Sequence, residues 1–164
     1  MNGIRYAEPM KIIPVLAPQN ITTTATWTAY VDLDLVHWVT FVVNYGSLSS
    51  AGATCDDLNL TVVCSSLAST ASTTAIDFKY RLSSAILTDA WGAITAGTSD
   101  GITVGPAADN MSLVVDVDPA TVWAKSAVKR FVALAMTAAS TATFVAVTAF
   151  AEPRFPGNTI PSSS

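Results

Sequence analysis

Charge is scarce in this chain. Of 164 residues, eight are Lys or Arg and twelve are Asp or Glu, a charged share of 12%, about half that of an ordinary soluble domain. No run of like charges is available as an electrostatic tail. The net charge of −4 argues against nucleic acid as a partner, which calls for a basic patch. Histidine occurs once, at His37, which excludes a His-rich metal cluster. Cys55 and Cys64 are the only cysteines, and with His37 they lack zinc spacing. Two free thiols in a reducing compartment and a disulfide across that short span both remain open. Phosphate cradles are missing too, since Gly92, Gly97, Gly101 and Gly105 are turn glycines without the Lys-Ser/Thr or helix context. There is no βαβ alternation, no sustained heptad, no fixed-period repeat and no linker long enough to divide the chain. Glu8, Pro9, Lys11 and Pro14 interrupt any apolar signal segment near the N-terminus, so no secretory leader is expected there. Without one, the sequon-like Asn20, Asn59 and Asn110 read as chance.

What is present is apolar. Hydrophobic residues reach 51%, and Ser and Thr supply much of the remaining surface. A chain of this length is expected to form one domain with its own core. One uncharged and mostly apolar stretch runs from Phe131 to Phe150, about enough to cross a bilayer as a helix. Its least apolar residues, Thr137, Ser140, Thr141 and Thr143, fall in the middle, where a spanning helix is most apolar. No Trp or Tyr flanks it as an interfacial anchor. Val132, Phe144, Val145, Val147 and Thr148 favour strands, although the Ala content leaves a helix open for Val128 to Met136. The expectation is a closing β-hairpin turning at Ala138 to Thr141, and no membrane span.

Strand signals fill the rest. Residues 1–20 hold Pro9, Pro14 and Pro18 around a short apolar run, an edge strand or extended arm. Trp27 to Asp34 alternates as a half-buried strand, and Val36 to Tyr45 is apolar on both faces, a central strand. Leu58 to Cys64 is a strand between two Ser/Ala/Thr-rich loops. Ile76, Phe78, Tyr80 and Leu82 alternate with Asp77, Lys79 and Arg81, one face in and one face wet. Trp91 to Ile94 and Gly101 to Val104 are short strands around a turn at Thr95 to Asp100. Met111 to Val117 is another strand, and Asp118-Pro119 starts a turn or one helical turn, with Asp as cap and Pro at the first position. The expected fold is all-β, with about eight to ten strands in a sandwich, jelly roll or barrel. Its core spans 21–157, and 158–164 form a polar tail.

No enzyme is legible. His37 lies beside Trp38 in a buried-looking strand and reads as a hydrogen-bonded core or rim residue. No Ser or Cys carries a nucleophile-elbow pattern. Asp32 and Asp34, Asp56 and Asp57, and Asp116 and Asp118 form close pairs. Residues two apart in a strand share a face, so such pairs suit Ca²⁺ or acid/base work. Without an EF-hand-like oxygen spacing they read as strand-end and turn-capping residues. Trp27, Trp38, Trp91 and Trp123 offer a carbohydrate platform, with one or more filling the core as the competing reading. No catalytic residue, metal site or cofactor is assigned.

Several phrases carry a resemblance across most of the chain. They are Ile13-Pro-Val-Leu-Ala-Pro-Gln19, Ala29-Tyr-Val-Asp-Leu33, His37-Trp-Val-Thr-Phe41, Phe78-Lys-Tyr-Arg-Leu82, Asp89-Ala-Trp-Gly92, Val115-Asp-Val-Asp-Pro119, Arg130-Phe-Val132 and Glu152-Pro-Arg-Phe-Pro-Gly157. The chain resembles small virion structural proteins of tailed bacteriophages, of the capsid decoration or cement type. The resemblance implies a jelly-roll-like all-β subunit, made in the host cytoplasm. It would bind as an oligomer, dimer or trimer, on the outer capsid surface and stabilise the head by bridging major capsid subunits. The family supplies no catalytic residue to carry over. Pro-bearing arms at both ends suit contacts by strand addition at an exposed sheet edge. The expected contacts are Ile12, Ile13, Val15, Leu16, Pro18 and Gln19 at one end, and Phe155, Pro156, Asn158, Ile160 and Pro161 at the other. The alternatives are a minor tail or head-completion protein, a carbohydrate-binding β-sandwich using Trp and paired Asp, and a protein anchored through Phe131 to Phe150.

Overall fold

Where apolar residues alternate, the backbone is extended. The computed structural model describes residues 10–46, 57–85, 88–105, 110–126, 128–138, 143–155 and 162–163. In chain order the strands are β1 (Lys11–Ile21), β2 (Thr26–Trp27), β3 (Tyr30–Asp32), β4 (Val36–Tyr45), β5 (Leu58–Ser65), β6 (Thr74–Ala75), β7 (Phe78–Leu82), β8 (Thr95–Gly97), β9 (Ile102–Val104) and β10 (Ser112–Val117). The helix α1 (Pro119–Lys125) follows, then β11 (Phe131–Ala138), β12 (Thr143–Pro153) and β13 (Ser162–Ser163). Ten of these strands have three residues or more. No described helix is long and apolar enough to cross a membrane.

The pairings nest. β1 pairs with β12, β3 with β11, β4 with β10 and β5 with β6, all antiparallel. First-with-last nesting of this kind makes a jelly roll. One sheet has six strands in the order β1-β12-β4-β10-β7-β8. The other has seven: β13-β3-β11-β5-β6 in order, with β2 also on β11 and β9 also on β5. Both sheets end in edges, so the fold is a sandwich and not the closed barrel also expected.

Between the sheets, Phe41, Val43, Val145, Val147 and Ala149 face Leu58, Leu60, Val62, Val132, Leu134 and Met136, each at 1% exposure or less. Burying each larger side chain stabilises by about 1.5–3 kcal/mol, so this slab dominates stability. Residues 76–77 carry the chain from one sheet to the other, between β6 and β7. Ile76 is fully buried there, and its N–H donates to the Val62 carbonyl at 3.0 Å. α1 starts as expected: Asp118 is its N-cap, accepting from the Ala120 N–H at 2.8 Å, with Pro119 in the first turn.

Four expectations need correction. The short strand expected over Trp91 to Ile94 is a single bridge, from Trp91 to Ser83. β11 and β12 are strands, but they do not form a hairpin. β11 pairs with β2, β3 and β5 in one sheet, and β12 with β1 and β4 in the other. Their inner faces meet across the core instead of their edges, and residues 139–142 lie outside those described. The strand expected over Trp27 to Asp34 is broken at Thr28 and Ala29. Ala29 N–H donates across the sandwich to the Val15 carbonyl at 2.8 Å, while Leu134 N–H donates to the Thr28 hydroxyl at 3.0 Å. The turn expected at Thr95 to Asp100 begins as strand β8, which pairs with β7. A Cβ at Gly97 would lie 2.5–2.8 Å from the Phe78 ring, so the glycine makes room for an aromatic and is not there for turn freedom.

Candidate interaction surface

β1 is the edge strand of the six-stranded sheet. Its register on β12 shifts between Pro14 and Leu16 and again between Leu16 and Gln19. Pro14 and Pro18 remove donors from the strand, and shifts of this kind twist an edge out of line. Of the residues expected to make contacts, Ile13, Val15 and Leu16 point inward and are buried in the core, while Ile12, Pro18 and Gln19 are exposed. Phe155 is 62% exposed at the other end of the chain. Pro156, Asn158, Ile160 and Pro161 lie outside the described residues. Ser162 and Ser163 pair with Val31 and Tyr30 at the edge of the seven-stranded sheet.

A broader surface lies on the outer face of the six-stranded sheet. Paired residues share a face, so the registers lay out rows across it. One row runs Ile12, Phe150, Thr40, Asp116, Lys79; the next runs Pro14, Thr148, Val42, Val114, Arg81; a third runs Ala146, Asn44, Ser112. Phe144 continues the same face of β12 and is 51% exposed, and Ile12 is 50% exposed. Over β1, β12 and β4 these rows carry no charge, and the first charged groups appear on β10 and β7. The reading of β4 as apolar on both faces is thus half met, because His37, Thr40, Val42 and Asn44 lie open to varying degrees on its outer side.

The opposite sheet differs. On its outer face Tyr30, Val63 and Ala133 are buried, with Trp27, Ala68, Phe131 and Ala135 packed around them. Ala68 belongs to the segment after β5, so its own chain covers this part of the sheet. Burial raises the pKa of the Tyr30 hydroxyl, which has no hydrogen-bond partner. Asp32 sits at the rim of this cluster. Its Oδ1 accepts from the Asp34 N–H at 3.0 Å, and the Arg130 guanidinium spans Asp32 at 3.2 Å and Asp34 at 3.1 Å while lying 4.9 Å from the centre of the Phe131 ring. That pair of carboxylates anchors a turn.

The phrase at the end of β12 is likewise structural. Glu152 Oε2 accepts from the Trp38 indole N–H at 2.6 Å. Arg154 donates to the Val36 carbonyl at 2.9 Å and lies over the Trp123 ring at 5.1 Å. No tryptophan is fully buried; Trp91 and Trp123 are 39% and 38% exposed. Cys64 is a free, buried thiol whose pKa is raised, mainly by burial, with Lys129 and Lys125 opposing. Cys55 and Asp56 lie outside the described residues. Among the described residues no group of three or more His, Cys, Asp or Glu is placed to hold a metal ion.

Sequence reasoning expected flat sheet faces to make contacts but named only residues of the two terminal arms, because it assigned the apolar residues of the strands to the core. The signal was available in β12, where Phe144, Ala146, Thr148 and Phe150 form a second apolar phase beside the buried one. Comparison of the chain with protein-family models, with curated proteins and with solved structures gave no match.

Proposed function

We propose that this chain is a non-enzymatic structural protein of a tailed-phage virion, a capsid decoration protein that sits on the outside of the head and bridges major capsid subunits. The observation that carries the reading is the outer face of β1, β12 and β4, uncharged over the rows from Ile12 to Thr40, Pro14 to Val42 and Ala146 to Asn44 and left open, while part of the other sheet's outer face is covered by its own chain. Contiguous open apolar surface marks a partner site, and charge is depleted at the centre of protein interfaces. The sequence phrases resembling decoration proteins supply the identity of the partner, and the jelly roll is a fold that capsid and lectin domains share. Contact is through this face and not by strand addition at β1, whose prolines and shifted register make it a poor template. Two or three copies associate on the shell, with the exposed Phe155 at their rim.

The test is co-sedimentation with expanded heads that lack the protein. Wild-type chain is expected to pellet with the heads and to raise their resistance to heat. Ile12→Asp and Phe144→Asp place charge at opposite ends of the open face on exposed side chains. They are expected to weaken head binding at least tenfold, since burying an unpaired carboxylate against a partner costs more than about 1.4 kcal/mol. Protein found only on tails, or variants that bind heads as wild type does, would overturn the proposal.

A further inference from the structure

Past the uncharged rows of β1, β12 and β4, the outer face of the six-stranded sheet continues onto β10 and β7 and gains charge there. Three charged side chains occupy this border: Asp116 on β10, and Lys79 and Arg81 on β7. Asp116 and Lys79 stand opposite each other in the register, and Asp116 also accepts from the Thr40 hydroxyl at 2.5 Å. Arg81 is placed differently. Its row runs on through Val114, Val42, Thr148 and Pro14, with no carboxylate in it.

The other two described arginines are committed within the subunit. Arg130 spans Asp32 and Asp34, and Arg154 donates to the Val36 carbonyl while lying over the Trp123 ring. The Arg81 side chain makes no hydrogen bond, ion pair or ring contact among the described residues. It is nonetheless half-buried. Phe78, Tyr80 and Leu82 pack on the core side of β7, so alternation turns Arg81 to the outer face beside Val114.

A half-buried guanidinium whose donors are all free has lost part of its hydration and gained no acceptor in exchange. Beside an open apolar surface, that is the make-up of an interface anchor. The arginine stem covers apolar area, and its planar head reads a carboxylate through two parallel bonds. Distance fits as well. Strands lie about 4.8 Å apart, which puts the Arg81 Cα about 14 Å from that of Thr148, three strands away. An interface of ordinary size, about 800 Å² a side and so about 30 Å across, takes in both.

We propose that Arg81 orients the partner on the open face by pairing with the carboxylate of an Asp or Glu on the partner's surface. The inference rests on the shell-binding reading and adds the chemistry of what is bound: an apolar surface bordered on one side by an acidic residue. The uncharged rows supply area but little direction, since an apolar face can be met at many angles. A charge pair at one border removes that freedom, because any other angle leaves guanidinium and carboxylate desolvated and unpaired.

The test is co-sedimentation with expanded heads that lack the protein, at low and high NaCl, for wild type, Arg81→Gln, Arg81→Lys and Lys125→Gln. Arg81→Gln is expected to weaken head binding about tenfold, with Arg81→Lys between it and wild type. Lys125, an exposed cation on α1 whose charge is felt at Cys64 on the opposite sheet, is expected to be replaceable without loss. The advantage of wild type over Arg81→Gln is expected to shrink as salt rises. The thermal midpoint of Arg81→Gln is expected to match wild type, because Arg81 holds nothing within the subunit. Arg81→Gln binding as wild type does, an advantage insensitive to salt, an equal loss in Lys125→Gln, or a lowered midpoint for Arg81→Gln would each overturn the inference and leave the shell-binding reading standing. Failure of the wild-type chain itself to bind heads would overturn that reading, and this inference with it.

Discussion

Replacing Gly97 by Ala sets two accounts of residues 95–100 against each other, because they predict opposite signs. In a solvent-exposed turn at ordinary backbone angles, Gly→Ala stabilises by about 0.4–1 kcal/mol by restricting the unfolded chain. The structure instead places Gly97 in β8 opposite Phe78, and a Cβ there would meet three ring carbons at 2.5, 2.6 and 2.8 Å. Ordinary contact begins roughly 1 Å farther out, so the ring must move. Phe78 is only 6% exposed and packs 6.2 Å from the Tyr80 ring centre. Displacing it trades buried area for strain, about 1–3 kcal/mol for overpacking of this kind. In a domain of this length each kcal/mol lowers Tm by about 2–4 °C, so calorimetry should show a loss of several degrees. Phe78→Leu, destabilising alone, should recover part of that loss in the Gly97→Ala background, giving a favourable coupling in the double-mutant cycle. An unchanged or raised Tm for Gly97→Ala would refute the placement of β8 against β7.

The placement of β11 and β12 in different sheets is open to NMR: backbone proton contacts should link Val132 with Cys64 and Ala149 with Phe41, and none should pair β11 directly with β12. Arg130→Met strands the nearly buried Asp32. With the arginine itself half exposed, its loss should destabilise by about 1–2 kcal/mol in urea titration, whereas Asp34→Ala should cost under about 0.5 kcal/mol. Cys64 and Tyr30 have pKa values raised by burial from their usual 9.0 and 10.0. The folded state therefore keeps these protons longer than the unfolded one. Stability should be full below about pH 9 and fall as pH climbs through the folded values, with Cys64→Ala flattening the first part of the decline in Tm.

The sequence by itself determined the class of fold and most strand positions. Period-two alternation in Ile76 to Leu82 and Met111 to Val117, β-branched density in Val36 to Tyr45, and the Asp118-Pro119 cap are local signals, and local physics acts on them directly. It also determined that charge is sparse along the whole chain, at 12% of residues. Partner choice was decided only by tertiary structure. Phe131 to Phe150 announces two strands with buried faces, yet two such strands satisfy their apolar sides equally well edge to edge or stacked across a core. What separates these outcomes is which other strands offer unpaired edges, and those lie far away in the chain: β5 and β3 for β11, β1 and β4 for β12. The same holds for Gly97, whose meaning depends on an aromatic ring 19 positions earlier.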